Sequence, residues 1–235
     1  PTPAIAATAP PYVTLPGDLP VMAVTTPAND VGEGYIFVSP SRSWRSAFCL
    51  LMLDNMGQPV FYRPFTSWVM DFKRQPGGLL TYWQAGQFYA LDESYTIVDT
   101  YPPGNGYGWS DGHDLAVLPN GHALFLIYDE QPVDMSQITA GGWPTATAIG
   151  LVVQEIDTAD NVVFQWRSWD HFLITDTLDS LTKPTVDLVH GNTVEVDYDG
   201  NLLISCRNMS EITKIDRQTG EIIWRLGGKN NQFTF

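Results

Sequence analysis

Four copies of one phrase punctuate this chain, and they constrain its fold more than any other feature. Each is an apolar run ending in Asp, then a polar turn, then a second run closing near an aromatic residue or Arg. The copies are LLMLDNMGQPVFYRPF, FYALDESYTIVDTYPP, VVQEIDTADNVVFQWRSW and TKIDRQTGEIIWRLGG. An Asp at the head of a tight turn bonds forward to the backbone, and Gly supplies positive φ, so each copy reads as a β-hairpin. Ahead of three copies lies another hairpin pattern, MDFKRQPGGLLTYWQ, HDLAVLPNGHALFLI and HGNTVEVDYDGNLLIS, turning at Pro76-Gly77-Gly78, Asn120-Gly121 and Asp199-Gly200.

Apolar spacing of three and four is almost absent, whereas short β-branched and aromatic runs recur from Tyr35 onward, which is an all-β signature. Two hairpins in series make a four-stranded antiparallel sheet of about 40 to 55 residues, the size of a propeller blade. The expected fold is therefore an all-β β-propeller of four-stranded antiparallel blades. Blades are expected at roughly 20–65, 67–103, 113–169 and 188–228, following an extended N-terminal segment over 1–19. The joining segments 130–148 and 169–187 carry Gly141-Gly142-Trp143-Pro144 and the stretch from Asp176 to Pro184, and are expected as rim loops that shape a pocket. A β-sandwich is the alternative, but it does not require the repeat.

With 235 residues, 44% hydrophobic and 12% aromatic, the chain can bury a substantial core. Its 12 Lys and Arg against 26 Asp and Glu give a formal charge of -14. That charge repels a phosphate backbone or an anionic membrane surface, so no nucleic acid and no membrane insertion are expected. A site for an anionic substrate must gather its few cations locally. The start at Pro1, the Ala/Pro/Thr-rich opening and the low Lys content read as a secreted, extracellular or periplasmic chain after signal removal, with Asn208 in the sequon Asn208-Met209-Ser210 as a glycosylation site. Cys49 and Cys206 sit in strand-like runs, as buried thiols or as one disulfide.

Two of the four histidines hold equivalent places in the repeat. His113 and His190 each begin the first strand of a blade, the strand that lines a propeller's channel, so both imidazoles are expected near one mouth. Asn192 follows His190 by two and shares its strand face by the period of two. Arg207 ends the next strand, where a guanidinium can fork onto a tetrahedral oxyanion. An Asp-paired or solvated arginine is the plainer reading. His122 lies in the Asn-Gly turn and is expected in solvent. His171 packs beside Trp169 or reaches the rim to bind substrate. Trp109, Trp143, Trp166, Trp169 and Trp224 offer an aromatic wall, or core packing. No HExxH, CxxC, Walker, GxGxxG or GxSxG pattern occurs, so no metal and no cofactor are expected.

HDLAVLPNGHALFL, HGNTVEVDYDGNLLISCRNMSEITKIDRQTGEIIWRLGGKNNQF, and the earlier GYIFVSP with LDNMGQPVFY together resemble the arylsulfotransferase family, from about residue 30 to the end. The resemblance implies a six-bladed propeller, of which about four blades are visible here. It also implies transfer of a sulfuryl group from a phenolic sulfate ester to a phenol through a sulfohistidine, without nucleotide donor or catalytic metal. Residue by residue, His113, His190, Asn192 and Arg207 fall on its sulfate-binding and transition-state-stabilising positions. The nucleophilic histidine of the family follows the WRLGG segment and is expected beyond residue 235. This implies a partner polypeptide or further sequence that supplies it. A non-catalytic extracellular propeller that binds or self-assembles through blade edges is the reading from another class, and DRQTGEIIWRLGG alone points to a quinoprotein-like one.

Overall fold

A computed structural model of the chain describes residues 17, 19–20, 22–26, 29–40 and 48–234. The extended segment expected over 1–19 lies almost wholly outside the described residues. The chain divides into two units, Pro1–Thr66 and Ser67–Phe235. The first holds one antiparallel sheet, β1 (Ile36–Val38), β2 (Phe48–Leu53) and β3 (Pro59–Phe65), in that order.

The second unit holds three sheets. Strands β4 (Val69–Arg74), β5 (Leu80–Gln84), β6 (Gln87–Leu91) and β7 (Ile97–Tyr101) form a meander. Next come β8 (Leu115–Val117), β9 (Ala123–Val133), β10 (Ala146–Ile156) and β11 (Val162–Arg167), with β12 (Thr185–Asp187) added in parallel to β10. The last meander is β13 (Gly191–Val196), β14 (Leu202–Cys206), β15 (Glu211–Ile215) and β16 (Ile222–Gly227). No α-helix occurs among the described residues. The architecture is all-β, and its meander sheets are the blades of a β-propeller.

The repeated Asp acts identically in every copy. Asp54 Oδ1 accepts from the amides of Met56 and Gln58, Asp92 from Ser94 and Thr96, Asp157 from Ala159 and Asn161, and Asp216 from Gln218 and Thr219, all at 2.8–2.9 Å. Each therefore closes the hairpin it heads, β2–β3, β6–β7, β10–β11 and β15–β16.

Strand β9 explains how the blades stack. Its ALFLI run is buried on both faces, so the apolar residues are continuous rather than alternating. Leu124 and Leu126 join a core with Leu151, Val153, Val194, Leu202 and Ile204, against the last blade. Ala123, Phe125 and Ile127 join Phe88, Ala90, Tyr101 and Val152, against the preceding one. Burying each large side chain contributes about 1.5–3 kcal/mol, so the middle blade is held from both sides.

Polar ties fix the register between blades. Asp71 Oδ2 accepts from the Leu115 amide of the next blade (3.1 Å), and Asp114 Oδ2 accepts from the equivalent Val194 amide of the one after (2.9 Å). Gln75 uses both ends of its amide on β8, donating to the Leu115 carbonyl and accepting from the Val117 amide. Lys73 bridges Asp71 and Asp114. These ties lock the segment that carries His113.

Two expectations need correction, and one open alternative is decided. Strands β9 and β10 are eleven residues each and pair from Ala123–Ile156 to Val133–Ala146, so both ends of the 130–148 segment are strand and the connection shrinks to 134–145, which holds a one-turn 3₁₀ helix capped by Asp134. β12 occupies the end of the 169–187 segment. Cys206 is a free, buried thiol whose pKa burial pushes far up, which settles that cysteine against a disulfide.

Candidate functional site

His113 and His190 converge. Their rings lie edge to face with centroids 5.0 Å apart, although 77 residue numbers separate them. The blade packing just described puts the entry to β8 beside the entry to β13.

Each imidazole is fixed by a carboxylate. Nδ1 of His113 donates to Asp111, at 2.8 and 3.0 Å from its two oxygens. Nδ1 of His190 donates to Asp187 at 2.6 Å. An ionised carboxylate only accepts, so both neutral rings carry their proton on Nδ1 and leave Nε2 with a free lone pair. The Asp111 hydrogen bond raises the His113 pKa above its ordinary value, against partial burial and the nearby Arg207 charge. Asp111 itself is 7% exposed and held by its amide to the Leu126 carbonyl (2.7 Å).

His190 is the more buried ring, 11% exposed against 31% for His113. It sits at φ +51°, a left-handed conformation that costs a non-glycine residue about 1–3 kcal/mol. Its carbonyl accepts the Arg207 amide (2.9 Å), which helps hold the strained turn. Its Nε2 is buried and has no hydrogen-bond partner among the described residues. Such an atom carries a desolvation cost of about 1–3 kcal/mol unless something binds it. The Tyr128 hydroxyl lies 3.4 Å from Nδ1 of the same ring, and burial pushes the Tyr128 phenol well above its ordinary pKa, so it stays neutral.

Arg207 is exposed and has no carboxylate within 4 Å among the described residues. Its charge opposes the upward shifts of both His113 and Tyr128, which places a cation's field on the two rings.

His113 forms one wall of a cavity of about 600 Å³. The rest is mostly aromatic: Trp68, Trp83, Tyr107, Trp109 and Tyr128, with Met70, Asp111 and Glu130. Trp68 and Trp109 are 47% and 64% exposed, unusual for tryptophans without a binding role. Trp83 is pinned by its indole N–H to Ser110, whose amide in turn donates to the Gly86 carbonyl (2.7 Å). A Cβ at Gly112 would lie 2.8 Å from the Trp83 ring, and one at Gly86 2.7 Å from Trp109. Both glycines thus let an aromatic wall close against the backbone.

The remaining expected residues do not line the cavity. Asn192 falls where the β13–β14 ladder slips, between Gly191 and Thr193. With His190 itself left-handed before the strand, the simple alternation linking the two is broken. His171 stacks on Trp166 (5.1 Å, 11°), away from the cavity lining. Nδ2 of Asn208, the atom a glycan would take, donates to the Asp187 carbonyl (2.6 Å), which anchors the loop beneath His190. His122 is bound to buried Glu155 (2.7 Å), which Arg217 also pairs, and is not a solvated turn residue. Of the five tryptophans offered as a wall, Trp109 alone lines the cavity; Trp166 is core.

Asp111, Asp187, Tyr128, Trp68 and Trp83 are the site residues that sequence reasoning passed over. The two aspartates stand two and three positions before their histidines, and asking what would orient each imidazole finds them. No group of three or more His, Cys, Asp or Glu suited to a metal ion occurs among the described residues.

The fold is similar to a protein of unknown function from Bacteroides caccae, at TM-score 0.50 and 11% identity over 83% of this chain and 58% of that one. This chain therefore spans less than two thirds of that protein's length. Virginiamycin B lyase from Staphylococcus aureus gives 0.45 and 12% over 82% and 52%, and a streptogramin B lyase 0.44 and 13% over 80% and 50%. No curated protein matches the sequence. The family model described as Arylsulfotransferase (ASST) matches residues 79–235, a stretch that holds Trp83, Asp111, His113, Tyr128, Asp187, His190 and Arg207. With more than half of its length under that match, including the paired histidines and most of the aromatic cavity, the chain belongs to the arylsulfotransferase family.

Proposed function

We propose that this chain forms the sulfate-holding centre and aryl pocket of a secreted enzyme that moves a sulfuryl group from a phenolic sulfate ester to a phenol. The observation that carries the reading is the buried, unpartnered Nε2 of His190, held by Asp187 and 5.0 Å from the His113 ring beside an aromatic cavity. A flat aryl group suits walls of Trp and Tyr. The three sulfate oxygens suit the Arg207 guanidinium and the Nε2–H groups that His113 and His190 present when protonated, with Asn192 as a further donor.

In the first half-reaction the S–O(aryl) bond breaks as an N–S bond forms to the nucleophilic histidine that the family's chemistry calls for. Charge spreads over the equatorial oxygens, as in phosphoryl transfer, and fixed N–H donors stabilise it. The departing phenolate needs a proton. His113, with a pKa raised by Asp111, is placed to supply it from Nε2. The second half-reaction reverses these steps: a phenol loses its proton to His113 and its oxygen takes the sulfuryl group from the histidine.

The test is turnover of 4-nitrophenyl sulfate with phenol as acceptor, by the natural polypeptide containing this sequence. Release of 4-nitrophenolate that depends on phenol, with formation of phenyl sulfate, supports the reading. Hydrolysis to free sulfate alone, or no turnover, rejects it.

A further inference from the structure

The cavity contains one charge that sulfuryl transfer does not use. Glu130 lies in its lining, on the same face of β9 as Tyr128 by the period of two. Asp129 between them is neutralised by Arg167, whose Nε and guanidinium nitrogen lie 3.1 and 2.8 Å from its carboxylate. Glu130 has no ion pair and accepts no hydrogen bond among the described residues. Neighbouring carboxylates on one strand are thus treated oppositely: one is paired, the other left open toward a pocket.

A carboxylate at the mouth of an aromatic cavity opposes an anionic ligand. It attracts a cation, and so do the faces of Trp68, Trp83 and Trp109, because the ring quadrupole is negative there. Asp111, the other carboxylate of the lining, is bound to His113, so Glu130 is the lining carboxylate left for a cationic ligand. The cavity volume of about 600 Å³ fits one aryl ring with a short side chain.

We propose that the preferred phenol carries a cationic amine on its ring substituent, with Glu130 as its counter-ion and specificity-determining residue. The proposal rests on the reading of this cavity as the aryl site. It predicts orientation as well as selection: the ammonium at Glu130 directs the phenolic oxygen toward His113.

The experiment is isothermal titration calorimetry of the 235-residue chain with three phenols of one shape: 4-(2-aminoethyl)phenol, 4-(2-hydroxyethyl)phenol and 4-hydroxyphenylacetate. The amine should bind about five- to tenfold tighter than the alcohol, and the acetate more weakly than both. Glu130→Gln should remove the advantage of the amine and leave the alcohol unchanged, while 0.5 M salt reduces it in the native chain. Equal binding of amine and alcohol, or an advantage that survives Glu130→Gln, overturns the proposal. The same phenols serve as acceptors for the natural polypeptide containing this sequence. Charge-selective, Glu130-dependent binding without sulfuryl transfer supports the proposal and rejects the enzymatic reading. Transfer with no preference for the amine does the reverse.

Discussion

Replacing Asp111 by Asn removes one carboxylate and nothing else of similar size, so it isolates what that charge does for His113. Both Asp111 oxygens lie within 3.0 Å of Nδ1, and the carboxylate is almost fully buried. A charge-assisted hydrogen bond of this kind contributes about 1.5–3 kcal/mol. Its effect on His113 is to raise the folded-state pKa above the unfolded value of about 6.5. The folded chain then holds the proton more tightly than the unfolded one. The charged pair's stabilisation is complete below pH 6.5 or so, and is lost as pH rises through the raised folded value. Urea unfolding of the native chain and Asp111→Asn at pH 5.5 and pH 9.0 should give the larger destabilisation at pH 5.5. The His113 ring proton resonance should titrate at lower pH in the variant. Equal destabilisation at both pH values, with an unmoved His113 midpoint, would refute the pairing and the acid role built on it.

Three further outcomes are expected. In the natural polypeptide containing this sequence, His190→Ala and Arg207→Ala should each lower sulfuryl transfer by about two orders of magnitude, the loss typical of one oxyanion donor, measured as 4-nitrophenolate release. Gly112→Ala should displace the Trp83 indole, costing about 1–3 kcal/mol and shifting tryptophan emission to the red, with weaker phenol binding. Burial raises the Asp71 carboxyl to about 7 despite Lys73. Because that folded pKa lies above the unfolded one, the folded state binds the extra proton, so Asp71 lowers stability as pH climbs from about 4 to about 7. Asp71→Asn, which retains an acceptor for the Leu115 amide, should flatten that part of the urea-derived stability profile.

The turns were open to reading because an Asp-headed hairpin is a local device: Asp54, Asp92, Asp157 and Asp216 need only the next two to four amides. His113 and His190 could be paired for a related reason, since each stands just ahead of the first strand of its blade and the entries to β8 and β13 converge. The cavity resisted because its walls come from 68–70, 83, 107–113 and 128–130, which meet only once two hairpins and their connection have packed. The ladder slip at Asn192, which breaks its simple alternation with His190, has no sequence signal of its own. Likewise the loop read into 130–148 ignored that β9 and β10 continue to pair past Pro132, which sits opposite Thr147.

The most direct measurement is an NMR titration of the 235-residue chain with 4-nitrophenyl sulfate, following the imidazole resonances of all four histidines. The site described above predicts shifts at His113 and His190, none at His122 or His171, and loss of the response in Arg207→Ala. Shifts confined to His122 or His171, or a His113 and His190 response that persists without Arg207, would contradict it.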